Sequence, residues 1–186
     1  MAVLEYDDEA TRRLLALYVT PDVVAQRAEF LGALGPARGE RVLDVGAGPG
    51  FLAASIAEAV GDSGSVCGVD VSEPLLTIAR SRSGDQPHTE FRYGDATQLP
   101  YPDEALDAVV STQVLEYVPD VEAALAEIHR VLRVGGRVAL LDTDWDSIVW
   151  HSSDHGRMTR VLTAWEDHAA EAMSGQTSPA NQRDVS

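Results

Sequence analysis

The chain has 186 residues, 45% of them hydrophobic, enough for one domain with a sizeable core and too short for a second catalytic domain. Thirty acidic against fourteen basic residues leave a formal charge of −16, a field that repels phosphate backbones and points away from nucleic acid toward a small-molecule partner. All fourteen bases are arginine, which excludes a lysine base or Schiff base, and the single cysteine, Cys67, excludes an intramolecular disulfide or a multi-thiolate metal cage.

Met1 to Asp8 carries acids and no apolar signal core, and no apolar run approaches the roughly eighteen residues of a membrane span. The expected location is therefore cytoplasmic. Helical spacing of apolar residues predicts helices over 8–19 and 21–34, separated by Thr20-Pro21-Asp22, where Thr20 suits a cap and Pro21 the first helical position. These helices precede the sheet and are placed to cover its ligand edge.

From Arg41 onward strands and helices alternate: strand 41–45, helix 50–60, strand 65–70, helix 73–82, strand 89–93, strand 107–112, helix 120–132, strand 137–144 and helix 154–172. Alternation of this kind predicts an α/β fold, a Rossmann-like doubly wound and mostly parallel sheet with helices on both faces. Gly61-Asp62-Ser63-Gly64 and Ser83-Gly84-Asp85 read as turns between units, and no internal repeat is present. Cys67 lies within the second strand and reads as core filler.

The first strand runs into Gly46-Ala47-Gly48-Pro49-Gly50, glycines at every second position followed by a helix, which lets a ligand approach backbone and helix N–H groups. Asp70 ends the second strand twenty positions after Gly50, where a carboxylate can accept both hydroxyls of a ribose. The dinucleotide pattern G-x-G-x-x-G would need glycine at position 51, where this chain has Phe51. That spacing argues against a nicotinamide-dependent oxidoreductase.

Asp44 and the three glycines together read D-x-G-x-G-x-G. With the downstream Asp70, this arrangement resembles the first motifs of class I S-adenosylmethionine (SAM) methyltransferases. Gly94-Asp95-Ala96 resembles the family's adenine-holding position at the end of the third strand. Ser111-Thr112-Gln113-Val114-Leu115-Glu116-Tyr117-Val118-Pro119-Asp120 resembles the loop after the fourth strand in the ubiquinone and menaquinone C-methyltransferase type. Val131-Leu132-Arg133-Val134-Gly135-Gly136-Arg137 is similar to the family's turn into the fifth strand, with Arg-Val where Lys-Pro is usual. The resemblance covers about residues 18–150.

The resemblance implies SAM as cofactor, bound by Arg27, Asp44, Gly46, Ala47, Gly48, Gly50, Asp70, Val71, Asp95, Ala96, Thr112 and Gln113, with Arg27 paired to the methionine carboxylate. It implies methyl transfer, an in-line displacement that rests mainly on positioning. Where the acceptor must lose a proton, His151 and His155, just beyond the fifth strand, are the expected catalytic bases. The fourth strand lacks the Asn/Asp-Pro-Pro-Tyr signature of amino-methylating enzymes, and one cysteine does not support arsenic methylation, which leaves oxygen or carbon of a small metabolite. Asp142, Asp144 and Asp146 alternate at the strand end and read as a solvated end, so no metal ligand is assigned. Trp145, Trp150 and Trp165 suit pocket walls, core or dimer contacts alike.

The family continues past the fifth strand with helices and two further strands, whereas this chain is expected to form one domain over 1–173 (N-terminal helices 1–36, core 40–150) without them. Residues 174–186 read as a disordered tail. The exposed sheet edge would then be covered by the helix over 154–172 or by a second chain in a homodimer. Two readings follow: a working methyltransferase, or a shortened protein of that fold that binds SAM or a partner without transferring methyl groups.

Overall fold

A computed structural model describes residues 8–84, 86–143, 154, 156, 157 and 159–164. The chain divides into two compact units, Met1–Thr143 and Asp144–Ser186. In the second, Gly156, Arg157 and residues 159–164 are helical, inside the helix expected over 154–172. Asp154, the first residue of that expected helix, is not helical; the other residues of the helix, the catalytic candidates His151 and His155, Asp144 and Asp146, the three tryptophans and the tail lie outside the described residues.

The first unit begins with α1 (Asp8–Tyr18) and α2 (Pro21–Leu34). Pro21 opens α2, where its missing N–H costs nothing, and Gly35 closes it at φ +58, donating its N–H to Leu31 O. There follow β1 (Arg41–Val45), α3 (Phe51–Val60), β2 (Ser65–Asp70), α4 (Glu73–Arg82), β3 (Thr89–Tyr93), β4 (Leu106–Thr112), a 3-10 turn over Leu115–Tyr117, α5 (Val121–Val131) and β5 (Leu132–Leu141). Ser72 caps α4 through Leu75 N, and Asp120 caps α5 through Ala123 N at 2.9 Å.

All strand pairs are parallel, in the order β3-β2-β1-β4-β5. The chain runs outward from β1 in one direction and returns to lay β4 on its other side, so the strand order reverses between β1 and β4. That switch leaves a crevice beyond the carboxyl ends of the strands. Alternation within β1 and β4 divides the core. Val42, Ala108 and Val110 pack with Ile56 and Val60 on one face, while Leu43, Val45 and Val109 pack with Ile128 and Val131 on the other.

The fifth strand differs from the expected 137–144: it starts at Leu132, immediately after α5, and ends at Leu141. Leu106 pairs with Leu132 and Ala108 with Arg137, so β5 advances five residues while β4 advances two. Gly135 at φ +78 lets the extra residues loop out, and a side chain at Gly136 would meet Arg133 O and Asp107 O at about 3 Å, so the double glycine is absorbed into the strand as a bulge. Asp107 ties the neighbouring strands together, accepting from Arg41 N at 2.7 Å and Arg133 Nε at 2.5 Å. Among the described residues no helix is long and apolar enough to cross a membrane.

Candidate functional site

The glycine loop is pinned before any ligand arrives. Gly46 and Ala47 both donate to Val69 O, at 2.7 and 3.0 Å, and Gly50 donates to Ala47 O at 2.9 Å. Gly46, Gly48 and Gly50 all lie at positive φ (+73, +50 and +78), which L side chains rarely adopt. Two of them are also crowded. A Cβ on Gly46 would fall 2.1 Å from Val114 Cγ2, and one on Gly50 would meet Ala79 Cβ at 2.9 Å. The loop thus packs on one side against the segment after β4 and on the other against α4.

Asp70, at the end of β2, stands against this loop. Its Oδ2 accepts from Gly48 N and its Oδ1 from Ser72 N, both at 2.8 Å. A carboxylate has about four lone-pair sites, so with Gly48 N, Ser72 N and the Val71 N–H beside it Asp70 still keeps acceptor capacity for a ligand. Burial raises the Asp70 carboxyl above the ordinary range, partly opposed by the Ser72 and Gly48 N–H groups.

At the end of β3, Asp95 Oδ1 accepts from both Thr97 N and Thr97 Oγ1 at 2.8 Å, fixing the Gly94-Asp95-Ala96 turn. After β4, Gln113 sits at φ +56, its N–H donating to Leu141 O at 2.7 Å and its Oε1 accepting from Thr143 Oγ1 at 2.9 Å. Asp142 Oδ1 accepts from Val114 N at 2.7 Å and so holds the start of the 3-10 turn.

These strand ends enclose a cavity of about 310 Å³. Of the twelve expected cofactor residues, Gly46, Gly48, Asp70, Val71, Asp95, Ala96, Thr112 and Gln113 line it. Arg27, Asp44, Ala47 and Gly50 do not. Arg27 donates to Tyr18 O at 3.2 Å and lies 5.2 Å from the Phe51 ring centroid, while Asp44, Ala47 and Gly50 are buried behind the wall. Leu14 and Tyr18 of α1, and Val114, Tyr117, Val118 and Pro119 after β4, also line the cavity, although none was among the twelve residues expected to bind the cofactor. Helical spacing of Leu14 and Tyr18, four apart, was the signal available for the first pair. Tyr18 is held by stacking on Phe51, with centroids 5.2 Å apart and planes 4° apart, and Arg82 lies 3.6 Å over the same ring.

The wall is mostly apolar, with Asp70, Asp95 and Asp120 as its acids. Carboxylate acceptors at two strand ends, apolar side chains between them, and a glycine loop whose Gly48 Cβ would meet only Tyr18 Oη, at 3.7 Å, fit a cofactor with a ribose diol, an aromatic base and a positive charge. Among the described residues no group of three or more His, Cys, Asp or Glu is arranged to hold a metal ion.

Residues 43–140 match the methyltransferase domain family. The chain is 38% identical over 110 residues to a demethylmenaquinone methyltransferase of Lysinibacillus sphaericus, covering 59% of this chain and 47% of that protein. Its fold matches a SAM-dependent methyltransferase from Aquifex aeolicus at TM-score 0.65 and 22% identity, covering 78% and 79% of the two chains. It also matches phosphoethanolamine N-methyltransferase 2 of Haemonchus contortus, solved with S-adenosyl-L-methionine, at TM-score 0.66 and 26% identity, covering 74% and 33%. The chain spans less than half the length of the curated relatives it matches.

Proposed function

The chain belongs to the methyltransferase domain family, whose cofactor is S-adenosylmethionine, and from that premise we propose that it transfers a methyl group to oxygen or carbon of a small-molecule metabolite. The observation that carries this reading is the cavity at the reversal of strand order, with Asp70 and Asp95 in its wall. When bound, the cofactor supplies a methyl carbon already activated by a sulfonium.

What the chain must do is position and shield. Asp70 uses its remaining acceptor directions on the ribose hydroxyls while keeping the glycine loop in place through Gly48 N. Asp95 and Ala96, with Val71 beside them, hold the base. Gly46 and Gly48 admit the cofactor close to backbone, and Thr112 and Gln113 present the opposite strand end. Leu14, Tyr18 and Tyr117 form an apolar approach for the acceptor, which excludes water around the reacting atoms. Burial, with Glu116 and Asp142 nearby, raises the Tyr117 phenol, so it stays protonated. For an acceptor hydroxyl, His151 and His155 are the proposed bases.

Incubation of the full chain with SAM and a panel of phenols, quinols and carbon acids, read by mass spectrometry, tests the reading. Methylated product with matching S-adenosylhomocysteine is expected. Binding of SAM without product across the panel would instead favour a cofactor-binding protein that does not transfer methyl groups.

A further inference from the structure

Asp44 ends in a place where a carboxylate is expensive to ionise. It is 1% exposed, its Oδ2 has no hydrogen-bond partner, and the N–H that reaches the carboxyl comes from Ala53 in α3. On β2, Gly68 lies opposite in register and Asp70 two residues further on; on β4, Val110 lies opposite; the first turn of α3 carries no acid. Burial first, and the Asp70 charge second, push the Asp44 carboxyl up to about 8, so it is protonated at neutral pH. Asp44 is next along the chain to the cavity wall: Val45 and Gly46, the two residues that follow it, both line the cavity.

Resting on the cofactor assignment above, we propose that Asp44 is a charge-sensing residue, neutral in the ligand-free protein, that loses its proton to solvent when a sulfonium occupies the cavity and regains one when that charge has gone. A cation in a cavity of low dielectric favours the ionised form of a carboxyl buried behind the wall, and by linkage the ionised form favours the cation. Methyl transfer removes that cation. The S–CH3 bond breaks with its electron pair left on sulfur, the acceptor–carbon bond forms, and the thioether that remains is neutral; a proton carried by the acceptor leaves separately. Asp44 is then a buried anion beside the like charge of Asp70, with the Ala53 N–H as its compensation, and it takes a proton from solvent. One proton leaves on loading and one returns after turnover, and the neutral product loses a source of attraction that the substrate form enjoyed.

The test is calorimetric titration of the full chain at pH 7 with SAM and with S-adenosylhomocysteine, in phosphate and in Tris, for wild type and Asp44→Asn. The two ligands differ in charge and one methyl group, so groups touching their shared parts contribute alike to both. In wild type SAM should release more protons than the thioether, a difference approaching about one per site, and Asp44→Asn should abolish it. Wild-type affinity for SAM, and not for the thioether, should tighten as pH rises from 6 toward 8, a readout that needs no variant. Equal proton release by the two ligands, or a difference that survives in Asp44→Asn, overturns the inference while leaving the cofactor assignment intact. Absence of binding by either ligand overturns both.

Discussion

Asp44 and Gly46, at the end of β1, each make a separate prediction. Asp44 binds its proton more tightly folded than unfolded, so between about pH 4 and about 8 the folded state holds the extra proton and stability falls as pH rises. Asp44→Asn should flatten that decline in urea midpoints measured across the range; a variant declining as steeply as wild type would contradict the assignment. Gly46 is closed to any side chain by its φ of +73 and by Val114 Cγ2 at 2.1 Å. Gly46→Ala should cost about 1–3 kcal/mol in chemical denaturation, and Val114→Ala should recover part of it, since the clash goes and the backbone strain remains. Equal losses in single and double variants would show that the crowding is immaterial. The glycines and Asp70 were legible from spacing, and Asp44 from the resemblance of the D-x-G-x-G-x-G run. The different fates of the two acids were not, because Asp44 and Asp70 are both strand-end acids in the sequence, and only strand register and the position of α3 bury one and bring the other to the cavity.

At the scale of elements, the tie between α2 and β5 closes the sheet below the site. Arg137 places Nη1 and Nη2 on Glu40 Oε1 and Oε2, each at 2.7 Å, and also donates to Leu34 O and Gly35 O at the end of α2. The Arg137 bond holds the Glu40 carboxyl below its ordinary range. Glu40 therefore adds stability that is present above that ordinary range and is lost as pH falls through the lowered value. Arg137→Gln should cost about 1–2 kcal/mol near pH 7, discounted for the partial exposure of the pair, and less in acid. A loss independent of pH would mean that packing of the arginine stem, and not the ion pair, makes the tie. The elements themselves were largely readable: α2, β2, α4 and β3 fall where apolar periodicity and turn residues put them. The fifth strand was misread by five residues at its start because a double glycine ordinarily signals a turn, and here it forms a bulge inside the strand. The 3-10 turn over Leu115–Tyr117 was not foreseen, since it depends on Asp142, far along the chain, accepting from Val114 N.

On the scale of the whole molecule, a chain carrying −16 encloses a cavity whose charged lining residues are acids, a field that attracts a cationic cofactor and discourages a phosphate-bearing one. The same field predicts that SAM binding weakens as salt rises from 20 to 500 mM, whereas the neutral thioether is much less affected; identical salt dependence for both would remove electrostatic attraction from the account. Calorimetric titration of wild type and Asp70→Ala with SAM reads the cofactor site at the end of β2. Micromolar binding is predicted in wild type, weakened by about 1.5–3 kcal/mol in the variant through loss of the ribose acceptors. No heat with wild type, or equal affinity in the two proteins, would contradict a cofactor site built on the end of β2.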